Sequence, residues 1–229
     1  GMEWGFPGDK VGMIENNTMR TVATANIRSF KAIDEYEFEL ELTSDLPEEI
    51  GVGAALENLT WTPDVDIRNS FFGSCRARGL LVSTPGKVVI ENNVFESSGS
   101  AILIAGDANY WYESGAVKDV LIKGNDFRYP CMSSMYQFCE AIISIEPEIP
   151  QPDTKYPFNP FDYPILYAKS VDGISFTGNV IQRNTTYKPF HKRKAAVTLV
   201  KCRRAKIKDN KIIGDVLGAP GGKLSIVKE

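Results

Sequence analysis

The sequence predicts an all-β protein: a parallel β-helix that is preceded by a small antiparallel β element. A pattern of eight residues recurs five times, with apolar residues at its first, third and eighth places. Its sixth place is Asn in four of the five copies, which are residues 65–72, 88–95, 120–127, 174–181 and 205–212. Because stacked Asn amides can hydrogen-bond along a coil axis, the repeated Asn predicts a corner between stacked rungs.

A second apolar run follows each copy of the pattern. These runs begin at Leu80, Ala101, Ala141, Ala196 and Lys223. They are short and rich in β-branched residues, as expected of strands buried on the opposite wall of a coil. The copies start 23, 32, 54 and 31 residues apart, so the third unit carries a long excursion. We place this excursion at 146–164, because its six prolines exclude both strand and helix.

Residues 1–56 follow a different pattern. Tyr36, Phe38, Leu40 and Leu42 alternate with glutamates, which is typical of an antiparallel strand with one solvated face. Residues 20–27 are the candidate partner strand. We therefore divide the chain into an antiparallel β element, 1–56, and a parallel β-helix of about five rungs, 57–229. Since neither end of the coil has a clear cap, we expect further chain before residue 1.

Composition argues against several classes of function. The 229 residues include 26 basic and 29 acidic side chains, one histidine and four cysteines without a C-x-x-C spacing, so we expect no metal and no cofactor. No apolar run is long enough to span a membrane. Although the stretch 183–211 is basic, the chain is acidic overall, so we expect no nucleic-acid partner. Cys131 and Cys139 form either a disulfide or two free thiols, and His191 is expected in a solvated loop.

The segment 105–115 has the composition of a sugar-binding loop. It contains three consecutive aromatic residues between two acids. All three rings cannot point inward from one loop, and a sugar ring packs its C–H face on an exposed aromatic ring. The predicted sugar contacts are Asn109, Tyr110, Trp111 and Tyr112. The alternative is that the rings cover the coil wall while Asp107 and Asn109 hydrogen-bond the turn backbone.

Three carboxylates are candidate catalytic groups: Asp107, Glu113 and Glu146. The second runs that begin at Ala101, Ala141 and Ala196 can be aligned on these alanines. The alignment places Gly106, Glu146 and Lys201 at equivalent positions of stacked strands, and neighbouring strands are about 4.8 Å apart. Carboxyl groups about 5 Å apart suit a retaining glycosidase and groups about 6.5–9.5 Å apart an inverting one, and the sequence permits both. An ion pair between Glu146 and Lys201 is the structural alternative.

Arg76 is a further candidate for substrate binding. It lies in the turn that precedes Leu80, where a guanidinium group can bind a sugar hydroxyl or a carboxylate. Hydrogen bonding within the turn is the alternative.

Two contiguous stretches, 76–93 and 101–119, resemble the C-terminal half of the α-galactosidases of glycoside hydrolase family 110. The resemblance runs from about residue 57 to residue 127 and is looser beyond. It implies a right-handed parallel β-helix and an enzyme that removes terminal α-1,3-linked galactose with inversion and without a metal. It also implies a carbohydrate partner, a periplasmic or extracellular location, and a small β-barrel, inserted into the coil, that contains residues 1–56.

One motif of that family is missing. The family carries a paired-aspartate motif upstream of the barrel, and no Asp-Asp pair occurs in this sequence. We therefore expect the chain to hold one wall of the cleft, while the missing upstream part of the same polypeptide completes it. Two alternatives remain: a non-catalytic carbohydrate-binding or structural β-helix, and a polysaccharide lyase. The lyase is disfavoured because it needs clustered aspartates for calcium.

Overall fold

The computed structural model describes residues 4–97, 99–106, 113, 115–128, 141–147, 165–182, 196–213 and 226–228. These ranges contain strands and no helix, and therefore no helix that could cross a membrane. One antiparallel and three parallel sheets confirm the predicted fold class. In chain order the strands are β1 (Lys10–Ile14), β2 (Thr21–Ala32), β3 (Phe38–Leu42), β4 (Ala55–Asn58), β5 (Val65–Arg68), β6 (Phe71–Gly73), β7 (Arg78–Val82), β8 (Val88–Glu91), β9 (Val94–Glu96), β10 (Ser100–Ala105), β11 (Lys118–Lys123), β12 (Asp126–Phe127), β13 (Ile143–Glu146), β14 (Leu166–Lys169), β15 (Asp172–Thr177), β16 (Val180–Gln182), β17 (Val197–Val200), β18 (Arg203–Lys208), β19 (Lys211–Ile213) and β20 (Ile226–Lys228).

The N-terminal sheet consists of β1 to β4 in the order β3-β2-β1-β4, with every pair antiparallel. The predicted pairing of 20–27 with the alternating strand holds only at Ile27, which lies opposite Leu42; the rest of that contact is made by residues 29–32, while residues 21–26 pair with β1. Val11, Met13 and Ile27 are buried in the core of this sheet. The glutamates of β3 face solvent, as the alternation predicted.

The turn between β1 and β2 contains Glu15, a carboxylate that accepts three hydrogen bonds. Its donors are the Asn17 N–H at 2.6 Å, the Thr18 N–H at 2.9 Å and the Thr18 hydroxyl. The Thr18 hydroxyl contributes most to lowering the pKa of Glu15 to about 2. A carboxylate with a depressed pKa in the folded state stabilises the fold at higher pH.

We expect Glu15 to contribute to stability fully above about pH 4.5 and to lose that contribution as the pH falls towards 2. Thermal melts followed by tryptophan fluorescence over this pH range test the expectation. The melting temperature of Glu15→Gln should decline less across the window than that of the unmodified chain. Identical declines would show that Glu15 does not carry the effect.

The coil has three walls. Wall 1 contains β5, β8, β11, β15 and β18; wall 2 contains β6, β9, β12, β16 and β19; wall 3 contains β7, β10, β13, β14, β17 and β20. Each copy of the repeated pattern forms one strand of wall 1 and one of wall 2, and the second apolar run forms a strand of wall 3. Inward-facing aliphatic and aromatic side chains from all three walls make one continuous core.

The predicted Asn ladder lies at the corner between walls 1 and 2. Each amide nitrogen donates to the side-chain oxygen of the next Asn: Asn93 to Asn125 at 3.1 Å, Asn125 to Asn179 at 3.1 Å, and Asn179 to Asn210 at 2.9 Å. The residue before each ladder position has a left-handed backbone with φ between 51° and 65°: Asn69, Asn92, Gly124, Gly178 and Asp209. Gly, Asn and Asp tolerate this conformation best, which explains their use at the corner.

Wall 3 contains one strand, β14, that the sequence pattern did not predict. Its apolar run follows directly on Pro164, and none of the described strands of walls 1 and 2 lies level with it, so it falls outside the repeat. β14 lies between β13 and β17, whereas the corresponding strands β11 and β15 of wall 1 are direct neighbours. Between β13 and β17, wall 3 is therefore longer along the coil axis than wall 1 by about one strand spacing, 4.8 Å. Residues 148–164 of the predicted excursion lie outside the described residues.

Candidate functional site

Glu146 is the predicted carboxylate that the structure places most clearly. It is the last residue of β13, in which Ile143 and Ile145 face the coil core. Because side chains alternate along a strand, Ser144 and Glu146 face outward from wall 3. Both are buried, with exposed fractions of 0% and 7%. Since Glu rarely occupies a buried position, its presence on the outer face of a wall marks a candidate site.

The outer face of wall 3 is buried over several neighbouring strands. Its buried outward-facing residues are Leu103, Ala105, Ser144, Tyr167 and Thr198. Wall 1 differs, because its outer face carries solvated charges: Lys123 and Arg68 both bind Glu91, Lys123 at 2.8 Å. Wall 3 thus offers a floor of apolar and hydroxyl groups with one carboxylate at its edge.

The predicted column of residues is wrong by one position. Ala105, and not Gly106, lies opposite Glu146, because the alanine used for the alignment precedes β13 instead of pairing within it. On the other side of Glu146 the register places Lys169 of β14, and Val200 comes next. Since β14 intervenes, Lys201 is not the neighbour of Glu146, and no ion pair joins these two described residues.

The aromatic segment begins beside Glu146. Five of its predicted site residues lie outside the described residues and stay predictions: Asp107, Asn109, Tyr110, Trp111 and Tyr112. Gly106, which precedes them, donates its N–H to the Glu146 carbonyl oxygen at 3.3 Å. Glu113 is exposed and lies two residues before Gly115, where the chain is again buried. The structure therefore joins Gly106, the residue before this segment, to the backbone of the buried Glu146.

Arg76 lies near the amino-terminal ends of the wall 3 strands, whereas Glu146 lies at a carboxyl-terminal end. It is exposed and precedes β7 by two residues. Glu146 is level with Ala105, and the register of β7 and β10 makes Ala105 level with Ser83, seven residues beyond Arg76. Seven residues of strand span about 20 Å, so the structure does not bring Arg76 to the carboxylate.

Glu57 is a buried carboxylate that the sequence pattern did not single out. It lies in β4 of the N-terminal sheet and is 7% exposed. Its Oε1 accepts the Gly115 N–H at 3.0 Å, and its Oε2 accepts the Ala116 N–H at 3.4 Å. The contact joins residues 58 positions apart, so no local pattern could have revealed it.

A second contact joins the N-terminal sheet to the coil. The Arg20 guanidinium group donates to the carbonyl oxygen of Lys201, the residue that follows β17. Beside it, burial raises the pKa of the Cys202 thiol. Glu57 and Arg20 thus hold the N-terminal sheet against the corner at which the chain passes from wall 3 to wall 1.

Comparison with known proteins shows which proteins this chain is similar to. Residues 1–56 match the family model of the GLAA-B β-barrel domain II. Over 229 aligned residues the chain is 62% identical to α-1,3-galactosidase B of Bacteroides thetaiotaomicron, and the alignment covers 95% of this chain and 37% of that protein. The chain is a homologue of the C-terminal part of α-1,3-galactosidases. This confirms the resemblance that the sequence indicated.

Other α-1,3-galactosidases show the same relation. α-1,3-Galactosidase A of Bacteroides fragilis is 43% identical over 197 residues, which are 80% of this chain and 32% of that protein. α-1,3-Galactosidase B of Akkermansia muciniphila is 38% identical over 231 residues, which are 93% of this chain and 28% of that protein. The chain thus spans about a third of the length of the galactosidases that it matches.

Within the described part of this galactosidase homologue, no three His, Cys, Asp or Glu side chains lie close enough together to hold a metal ion. Cys131, Cys139 and His191 lie outside the described residues, so the disulfide and the solvated histidine stay predictions.

Proposed function

We propose that this chain forms one wall of the sugar site of an α-1,3-galactosidase. The polypeptide to which it belongs removes terminal α-1,3-linked galactose, with inversion and without a metal ion. One observation carries the proposal: Glu146, which is buried, accepts through its backbone carbonyl oxygen the N–H of Gly106, after which the predicted sugar-binding segment begins. The names of the homologous relatives support the substrate class.

The proposed reaction needs two carboxyl groups with separate tasks. In an inverting enzyme one carboxylic acid protonates the leaving oxygen, while a carboxylate about 6.5–9.5 Å away activates water. Asp107, Glu113 and Glu146 are the candidates for the acid in this chain. We assign the base to the paired aspartates that the family carries upstream of the barrel, in the same polypeptide.

The aromatic segment supplies the sugar contacts in this proposal. The rings of Tyr110, Trp111 and Tyr112 offer faces for the C–H groups of galactose, and Asn109 offers an amide for its hydroxyl groups. The outer face of wall 3 beside Glu146 is buried, and a site from which water is excluded strengthens polar interactions.

We also propose a periplasmic or extracellular location, where glycans with terminal galactose are accessible. Cell fractionation with an antibody against the chain tests this, and recovery in the cytoplasmic fraction would contradict it.

We expect the chain of 229 residues to bind galactosyl-α-1,3-galactose in isothermal titration calorimetry and to bind galactosyl-α-1,4-galactose more weakly. Glu146→Gln should lower the affinity about tenfold or more, because one of two oxygens that accept from sugar hydroxyls at a buried site becomes a donating NH2 group. Glu49→Gln, which alters an exposed glutamate in the turn between β3 and β4, is the matched control and should leave the affinity unchanged. Addition of a chelator should leave the affinity unchanged.

A hydrolysis assay on the same disaccharide separates the proposal from its rival, a non-catalytic binding module. We expect binding without turnover from this chain, because it contains no adjacent aspartates. Turnover by the chain alone would show that the base lies within it and would refute the upstream assignment. Absence of both binding and turnover would refute the proposal that the chain forms one wall of the sugar site.

A further inference from the structure

We propose that Trp61 forms the platform of a second sugar-binding site, which shares no residue with the candidate site at Glu146. Its ligand is a pyranose ring of a glycan chain, whose C–H face packs on the indole ring. The site belongs to the N-terminal sheet and consists of the turn before β1 and the residues that end and follow β4. It does not depend on the proposed function, because it uses none of the residues assigned there.

The exposure of the aromatic rings is the first support. Trp61 is 74% exposed, although Trp is highly buried on average, and Phe6 in the neighbouring turn is 50% exposed. An aromatic side chain offers about 150–250 Å² of contact area, whereas each partner of a stable protein complex buries about 800 Å². The two rings therefore suit a sugar, which packs on a single ring face, better than a protein partner.

The orientation of the indole ring is the second support. Its Nε1–H donates to Oδ2 of Asp9 at 3.4 Å, and the same oxygen accepts the Asn58 amide at 2.9 Å and the Phe6 N–H at 3.0 Å. Asp9 is buried, and Asn58 also donates to the Trp4 carbonyl oxygen at 3.0 Å. Because the polar edge of the indole is bound within the protein, the ring faces are left for a ligand.

The turn that carries Asp9 is held firmly by the sheet. Pro7 and Gly8 occupy its two central places, Gly8 has φ of 98°, and the Asp9 N–H donates to the Phe6 carbonyl oxygen at 3.0 Å. These are the features of a type II turn. The Gly8 N–H donates to the Ile27 carbonyl oxygen at 2.8 Å, which ties the turn to β2. A ligand thus meets a ring that is already ordered, which lowers the cost of binding.

Polar groups that are open to solvent lie next to the ring. Thr60 and Lys10 are both exposed, and the Lys10 N–H donates to the Thr60 hydroxyl oxygen at 2.8 Å. Sugar sites combine an aromatic face with a few polar groups that fix the orientation of the ligand. We assign contacts with the sugar hydroxyl groups to Thr60 and Lys10.

NMR spectra of the ¹⁵N-labelled chain test the site through its indole signals. The chain contains three tryptophans, so Trp61→Phe identifies the Trp61 signal by its loss. We expect methyl α-galactoside to shift this signal until it saturates, and to do so equally in Glu146→Gln, which alters only the other site. Glycerol at the same concentration offers hydroxyl groups without a ring and should leave the signal in place.

Affinity electrophoresis measures the contribution of the ring. Glu146→Gln is used as the parent, so that the other site contributes little, and galactomannan in the gel is the ligand. Trp61→Ala should lower the affinity about tenfold or more, while Trp61→Phe, which keeps a ring, should lose less. Tyr36→Ala is the matched control, because it removes a ring of the same sheet that is 83% exposed, and should change nothing.

Each outcome decides a separate claim. A Trp61 signal that methyl α-galactoside does not shift overturns the second site, and so does retardation that Trp61→Ala leaves unchanged. A shift that disappears in Glu146→Gln also overturns it, because the signal would then report the other site. If Trp61→Ala lowers the mass of the chain in analytical ultracentrifugation, the ring is a contact between copies and the inference fails. Failure of Glu146→Gln to weaken disaccharide binding contradicts the proposed function and leaves the second site standing.

Discussion

Asn125→Ala should lower the free energy of unfolding by about 3–5 kcal/mol. Asn125 is 1% exposed and lies in the middle of the Asn ladder. Its side chain accepts from the N–H and the amide nitrogen of Asn93, at 2.9 and 3.1 Å, and donates to the Ile90 carbonyl oxygen at 2.9 Å. Alanine removes these three hydrogen bonds and the one that Asn125 donates to Asn179, and each buried group that loses its partner costs about 1–3 kcal/mol.

Urea unfolding followed by far-UV circular dichroism measures this effect. Asn210→Ala is the matched control, because Asn210 is half-buried at the last described ladder position. We expect it to destabilise the fold by about half as much. Equal and small effects of both substitutions would mean that the ladder does not stabilise the coil.

Phe95→Ala should destabilise the protein by about 3–5 kcal/mol. Phe95 is 0% exposed, and its ring stacks between those of Phe72 and Phe127, with centroid distances of 5.0 and 5.1 Å. Alanine removes the transfer free energy of the ring, leaves a cavity, and breaks two aromatic contacts that are each worth about 0.5–1.5 kcal/mol beyond burial.

The control for Phe95 lies on the neighbouring strand. Phe71 faces outward from wall 2 and is 62% exposed, so Phe71→Ala should change stability by only about 0.5 kcal/mol. The same urea titration measures both variants. If the two substitutions had similar effects, the stacked rings would not form the centre of the core.

The repeated pattern predicted most of the coil because one local feature specifies each rung. The Asn position fixes the corner, and the apolar places on either side fix which residues face inward, as Val88 and Ile90 do in β8. β14 escaped prediction because no copy of the repeated pattern precedes its apolar run, and no strand in the described parts of the other two walls lies level with it. The register of Glu146 was misplaced by one residue because Ala141 lies before β13 and is not level with Ala101, the alanine with which it was aligned.

The candidate site was only partly predictable, for a related reason. Glu146 could be identified from its residue type. The position of Arg76 could not, because the composition of a turn does not show at which end of the strands the turn lies, and Arg76 lies at the end of wall 3 that is far from Glu146. The hydrogen bond that Glu57 accepts from Gly115 joins the N-terminal sheet to the coil across 58 residues. Such a contact follows from the packing of two elements, which no periodicity in either element encodes.

The most direct test of the account is to find where the chain binds its sugar. Titration of the ¹⁵N-labelled chain with galactosyl-α-1,3-galactose, followed by amide chemical shifts, gives this position. We predict that the largest shifts occur at the carboxyl ends of the wall 3 strands, at Gly106, Glu113, Gly115 and Glu146. Shifts concentrated on the outer face of wall 1, around Glu91 and Lys123, would contradict it, as would a spectrum that saturating sugar leaves unchanged.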